Sequence, residues 1–223
     1  LDKKGLMKNI KLLLIIIPLF FLSGCFDMGD DKTEYVSGWH NNIICTSFEI
    51  ISGSAWGETL LTVNPYFAAL PFNNITYNNY SAKGYIPTFP FSNATLSKPV
   101  KNQWIQIYYN GKTVYVQWED VGPWFVEDYE YVFDMTGVTR PRAEKFIGQQ
   151  VNRHGTYSEQ GLIAPAFSRS ACNGAGIDIS PAAMKYLTGK ESNNIRVRWR
   201  FCLPEEALIA DPLQLYWASK VNQ

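Results

Sequence analysis

Two aspartates stand where a side chain can do proton chemistry. Asp120 lies in Trp118-Glu119-Asp120-Val121-Gly122-Pro123, at the end of an alternating run, and Asp178 lies in Gly176-Ile177-Asp178-Ile179-Ser180. By the two-residue period of a strand, Val114, Val116, Trp118 and Asp120 share one face, and Glu119 points to the opposite, solvated one. A carboxylic acid that continues an apolar face is desolvated, which favours its protonated form and suits it to give up a proton near neutrality. Asp178 has a structural alternative, since an aspartate beside a helix cap can fasten backbone amides instead. Glu127, Asp128 and Glu130 follow Asp120 in a loop and are expected to form a solvated acidic surface.

The elements that must hold these acids are strands. Trp104 to Tyr109 and Lys112 to Asp120 alternate on either side of Asn110-Gly111, a dipeptide that accepts the positive φ at both centres of a tight hairpin turn. Ile195, Val197, Trp199 and Phe201 alternate with Arg196, Arg198 and Arg200, which predicts a half-buried strand with an exposed arginine face. Between them, Ser180 as N-cap, Pro181 at the first helical position and Gly189 past the end frame a short helix. Ile43 to Ile51 and Thr59 to Val63 also read as strands, 139–150 as a further short helix, and 72–99, rich in Asn, Tyr, Ser and Pro, as a long loop.

The first residues predict export. Lys3, Lys4, Lys8 and Lys11 precede an uncharged apolar run from Leu12 to Leu22, and Leu22-Ser23-Gly24-Cys25 places small residues before a cysteine. That is the layout of a secretory signal, expected over 1–24, and its last four residues resemble the lipobox of bacterial lipoproteins, in which the cysteine is acylated. Cys25 is the expected lipidation site. Residues 25–41, Asp- and Gly-rich, read as a flexible tether, 42–203 as one domain and 204–223 as a C-terminal extension. Removal of 1–24 leaves 16 basic against 19 acidic side chains, a net charge of −3. Clustered positive charge is what nucleic-acid binding needs, so no such partner is expected. No zinc-ligand spacing occurs, and with His40 and His154 the only histidines no metal or other cofactor is expected.

A hairpin ending in Asp120-Val121-Gly122-Pro123, then Ile177-Asp178-Ile179-Ser180, a short helix and a final alternating strand resembles the double-psi barrel family of rare lipoprotein A, expansins and related endoglucanases. Asn64-Pro65 through Leu70-Pro71-Phe72 resembles that family's upstream Leu-Pro segment, so the resemblance covers roughly 64–201. It implies an all-β, six-stranded double-psi β-barrel in a single domain, with Asp120 and Asp178 lining one groove. The implied activity is cleavage of an envelope polysaccharide, peptidoglycan above all, with Asp120 as acid and Asp178 as second carboxylate; the alternative is an expansin-like module that binds or loosens glycan without cleaving it. Trp118, Trp124 and Tyr129, near Asp120, are then expected to contact sugar through their flat ring faces. Two departures bear on activity: Val121 stands where the family has arginine, and the histidine expected before the Leu-Pro pair is absent. The implied location is a bacterial membrane, reached through the lipid anchor, at the outer membrane or cell surface. An oxidising compartment permits a disulfide; Cys172 with Cys202 is the pair expected, because each flanks a strand of the same barrel, with Cys45 open as an alternative partner.

Overall fold

Wherever a two-residue alternation falls on described chain, it becomes a strand. The computed structural model describes residues 37–48, 65–73, 100–152 and 169–210. In it β1 (His40–Ser47), β2 (Phe67–Leu70), β3 (Trp104–Tyr109), β4 (Lys112–Val121), β7 (Ile177–Ile179) and β8 (Asn194–Phe201) close into a barrel, and β5 (Gln150–Asn152) pairs with β6 (Arg169–Ala171) in a separate ribbon. The order around the barrel is β1-β7-β2-β4-β3-β8. β7 sits between β1 and β2, and β2 sits between β4 and β7, so each crossover encloses a strand of the other. This interlocking is the double-psi arrangement. The β1/β7 and β2/β4 pairs are parallel and the remaining barrel pairs antiparallel.

The hairpin forms with Tyr109 opposite Lys112, and Asn110 (φ 45°) and Gly111 (φ 83°) both take the left-handed conformation that the turn requires. In β8 the buried residues are Ile195, Val197, Trp199 and Phe201, each contributing about 2 kcal/mol of apolar burial to the barrel interior. The helix Pro181–Thr188 is capped as expected: Ser180 Oγ accepts from the Ala183 N–H at 3.2 Å, and Gly189, left-handed, donates its N–H to the Lys185 carbonyl. Its Ala183, Met184 and Leu187 join the core. The helix expected within 139–150 is a 3-10 turn, Arg142–Phe146, and the C-terminal extension begins with a helix, Pro204–Ala210. No helix among the described residues is long and apolar enough to cross a membrane.

Two expectations are corrected. The folded part starts earlier than residue 42: β1 begins at His40, the Phe201 N–H donates to Ser37 Oγ at 2.9 Å, and a Cβ on Gly38 would meet the Thr136 carbonyl oxygen at 2.5 Å. At least the last residues of the expected tether are therefore packed. The Cys172–Cys202 disulfide is not formed. Cys45, Cys172 and Cys202 are buried free thiols in three different clusters: Cys45 in the barrel core, Cys172 beside Ala143, Cys202 beside Trp104 and Tyr115. The expected signal segment, Cys25, the strand at 59–63, 74–99 of the expected loop and the chain beyond residue 210 lie outside the described residues.

Candidate active site

The short strand β2 brings the two aspartates together. Ala69 lies opposite Asp120 on β4 and opposite Asp178 on β7, and Asp178 lies opposite Thr46 on β1. Thr46, Asp178, Ala69 and Asp120 thus form one row across four neighbouring strands. The adjacent residues Cys45, Ile177, Ile179, Ala68 and Trp118 belong to the core, so the row faces outward. Strands lie about 4.8 Å apart, which puts the two aspartate Cα atoms about 10 Å apart with only the Ala69 methyl between them.

Asp120 reaches this row through a bulge that strict alternation does not contain. The register steps from Ala68 opposite Trp118 to Ala69 opposite Asp120, one residue on β2 against two on β4. Glu119 is the extra residue, and a β-bulge re-aims the side chains that follow it. Asp120 therefore does not continue the Val114, Val116, Trp118 face; it is turned to the opposite side. Trp118 is corrected as a sugar contact. It is fully buried beside Phe133 and Phe201, and its indole N–H donates to the Asp120 carbonyl at 2.9 Å, fixing the strand end from inside. Glu119, expected in solvent, is 2 % exposed and lies 3.8 Å from Lys101 Nζ; the Asn102 amide, turned with its nitrogen toward the carboxylate, donates to it at 2.7 Å.

Each aspartate is held by its neighbours. The Val121 N–H donates to Asp120 Oδ1 at 2.8 Å, and the Gly122 N–H to the Leu70 carbonyl at 3.1 Å, before the cis Gly122-Pro123 bond. Asp178 is 7 % exposed and accepts the Thr46 hydroxyl. The helix cap beside it is made by Ser180 itself, so Asp178 is not the capping group.

Both carboxylates line a groove of about 730 Å³. Val121 to Trp124 form part of its wall, with Ser170, Asn173 and the Ser192–Asn194 turn also lining it. Trp124 does line the groove as expected, but at 5 % exposure its ring is committed to packing with Ile44, Phe125 and Cys172, and its Nε1–H donates to Asn173 Oδ1 at 2.7 Å. It supports the wall and offers little ring face. Tyr129 opens the helix Tyr129–Val132, packs against the barrel core and is not among the lining residues. The aromatic that the sequence reading missed is Phe48, a half-buried lining residue edge-on to Phe67 at 5.4 Å. Thr46 and Asn173 were missed too. Thr46 had a signal, since it alternates with Cys45 on a strand already expected; Asn173 had none.

The acids after Asp120 are also not where solvation would put them. Glu127 and Asp128 are 6 % and 2 % exposed, drawn in by a bridge between Phe72 and Glu127 and by Arg142, whose guanidinium lies 3.8 Å from Glu127, 3.3 Å from Asp128 and 3.1 Å from the exposed Glu130. Burial pushes Glu127 up to about 7 and Asp128 up to about 6, with Arg142 opposing both shifts. Neither Glu127 oxygen hydrogen-bonds another residue. Among the described residues no group of three or more His, Cys, Asp or Glu side chains converges as metal ligands would. Comparison of the chain with protein-family models, with curated proteins and with solved structures found no match in any of the three.

Proposed function

We propose that the chain is an exported protein, lipid-anchored through Cys25, whose groove cleaves an envelope polysaccharide, peptidoglycan in the first instance. The observation that carries this reading is the row Thr46-Asp178-Ala69-Asp120: two carboxylates, on separate strands, in one groove, with the smallest chiral side chain between them. Asp120, the more exposed of the two, protonates the leaving glycosidic oxygen. Asp178, oriented by Thr46, stabilises positive charge at the sugar or takes a proton from the attacking group. Almost wholly buried and hydrogen-bonded by Thr46, Asp178 is not assigned a nucleophilic role. The signal-like segment and its Leu22-Ser23-Gly24-Cys25 end support the location; a Cys25→Ser variant should lose membrane attachment in a cell fractionation.

The test of cleavage is product analysis. Purified protein incubated with intact peptidoglycan, with glycan stripped of stem peptides and with soluble β-glucan should release new reducing ends or anhydro-sugars, read by mass spectrometry. Loss of a general acid costs roughly two to four orders of magnitude in rate, so Asp120→Asn should nearly abolish release. A second reading, an expansin-like module that binds without cleaving, is favoured by one observation: Asp178 is almost wholly buried and bonded to Thr46, a poor position for a base. Binding without products, unchanged in Asp120→Asn, would establish it.

A further inference from the structure

We infer that the face around Trp39, Arg196 and Arg198 docks on an anionic phospholipid surface, so that the domain lies against the membrane that holds Cys25. The inference rests on the lipid-anchored reading above and adds a second contact to it. Arg196 and Arg198 are exposed on the outer face of β8. The Arg198 guanidinium lies 4.8 Å from the Trp39 ring centroid and 4.1 Å from that of Tyr108, its neighbour on β3. Stacking occupies the flat of a guanidinium and leaves its N–H edge for an anion. Among the described residues no acid pairs with Arg196 or Arg198. Arg196 donates to the Asn42 carbonyl at 3.1 Å, and the acids close by are committed, Glu206 to Arg200, Glu144 to Arg140 and Asp134 to the Thr136 and Thr139 N–H groups.

Apolar side chains adjoin the arginines. Met135 and Val138 are 46 % and 76 % exposed, on a turn fastened to the same corner: the Gly38 N–H donates to the Met135 carbonyl at 2.7 Å, and a Cβ on Gly137 would collide with the Trp39 carbonyl. Arginines beside a tryptophan and exposed aliphatics suit a headgroup boundary, where the cations meet phosphate and the apolar groups enter the hydrocarbon edge; an acidic polymer in water would engage only the cations. The anchor supplies proximity. Trp39 stands 14 positions after Cys25, a reach of at most about 50 Å, which confines the face near the bilayer and turns a weak contact into a lasting one. Docking there does not cover the groove: His40 begins β1 next to Trp39, and Thr46, which lines the groove, is about 20 Å further along the strand.

The test is a polarity-sensitive dye on Val138→Cys in the acylated protein, reconstituted into vesicles of phosphatidylcholine alone or with an equal part of phosphatidylglycerol; Cys45, Cys172 and Cys202 are buried and shielded from the dye. Emission should move to shorter wavelength only with the anionic lipid, and high salt should reverse the shift. Arg196→Gln combined with Arg198→Gln should lower the ratio of docked to undocked protein about tenfold or more. The same dye on Asn193→Cys, in the groove lining, should not respond. A dye at position 138 unmoved by anionic lipid, or a shift that survives both salt and the arginine variant, overturns the inference. A shift of equal size with soluble polyglutamate makes the face a site for an acidic polymer and overturns it too. Sedimentation with the neutral vesicles reads the anchor alone: a chain that stays in solution contradicts the anchor, and excess anionic vesicles added to that chain then decide the face by the same dye.

Discussion

Two groups of acids follow one another along the chain, and the fold treats them in opposite ways. Asp120 is carried by a bulge out of the barrel core into a groove, where Asp178 joins it from another strand. Glu127 and Asp128, a few residues on, are taken into the interior beside Arg142 and pushed up to about 7 and about 6. Perturbed acids concentrate at functional sites, and by that criterion alone the second group would be chosen. Yet neither Glu127 nor Asp128 lines the groove. Their burial pins the chain after Asp120 to the 3-10 turn, with the Arg142 N–H donating to Asp128 Oδ2 at 2.8 Å. The lesson is that a shifted pKa marks burial first; access to a ligand has to be shown separately.

The contrast is broken most easily through Arg142, which is 17 % exposed and serves three carboxylates. Arg142→Ala leaves buried acids without their cation and should cost about 3 kcal/mol in urea unfolding. Asp178→Asn, which keeps a hydrogen-bonding acceptor for Thr46, should cost about 1 kcal/mol or less. Equal losses would mean that the groove pair is a structural clip like the other.

Next in size is a pH effect. Glu127 is raised from 4.5 to about 7 in the folded chain, so its contribution to stability is present below its unfolded value and lost as pH rises through about 7. His40, buried between Trp199 and Tyr131 and lowered from 6.5 to about 4, works the other way: its contribution is present above 6.5 and lost as pH falls through about 4. The two slopes oppose each other between 4.5 and 6.5. Glu127→Gln removes the first, so its stability relative to wild type should climb by about 2–3 kcal/mol between pH 4.5 and 7, measured as urea midpoints. A constant difference would show that Glu127 does not titrate with folding. Smaller again is Trp124→Phe, which keeps the packing and deletes the bond to Asn173. It should cost about 1 kcal/mol in thermal unfolding and weaken glycan binding a few-fold.

What could be read from residues follows the range of the interaction. The β3-β4 hairpin, the alternation of β8 and the caps of the helix Pro181–Thr188 depend on neighbours in sequence, and all three are present as expected. The barrel's order needed a resemblance, since nothing local says that β7 lies between β1 and β2. The groove pairing of Asp120 with Asp178 was anticipated, but the reason offered for Asp120 was mistaken: a bulge is defined against the partner strand, and Glu119 gives no sign of being the extra residue until β2 is beside it. Glu127 looked solvated because its loop is acidic, and the contacts that bury it, Phe72 and Arg142, are distant in sequence. Trp118 and Trp124 looked available because aromatic residues near an acid suit a sugar site; the core claims the first and the groove wall most of the second.

The central claim, that the groove acids act on the ligand and the buried acids do not, is tested most directly by comparing glycan cleavage in Asp120→Asn and Glu127→Gln side by side, with reducing ends counted under identical conditions and folding confirmed for both. Asp120→Asn should lose roughly two to four orders of magnitude in rate while Glu127→Gln stays within about threefold of wild type. A Glu127→Gln variant as inactive as Asp120→Asn, or an Asp120→Asn variant that cleaves at the wild-type rate, would contradict the account.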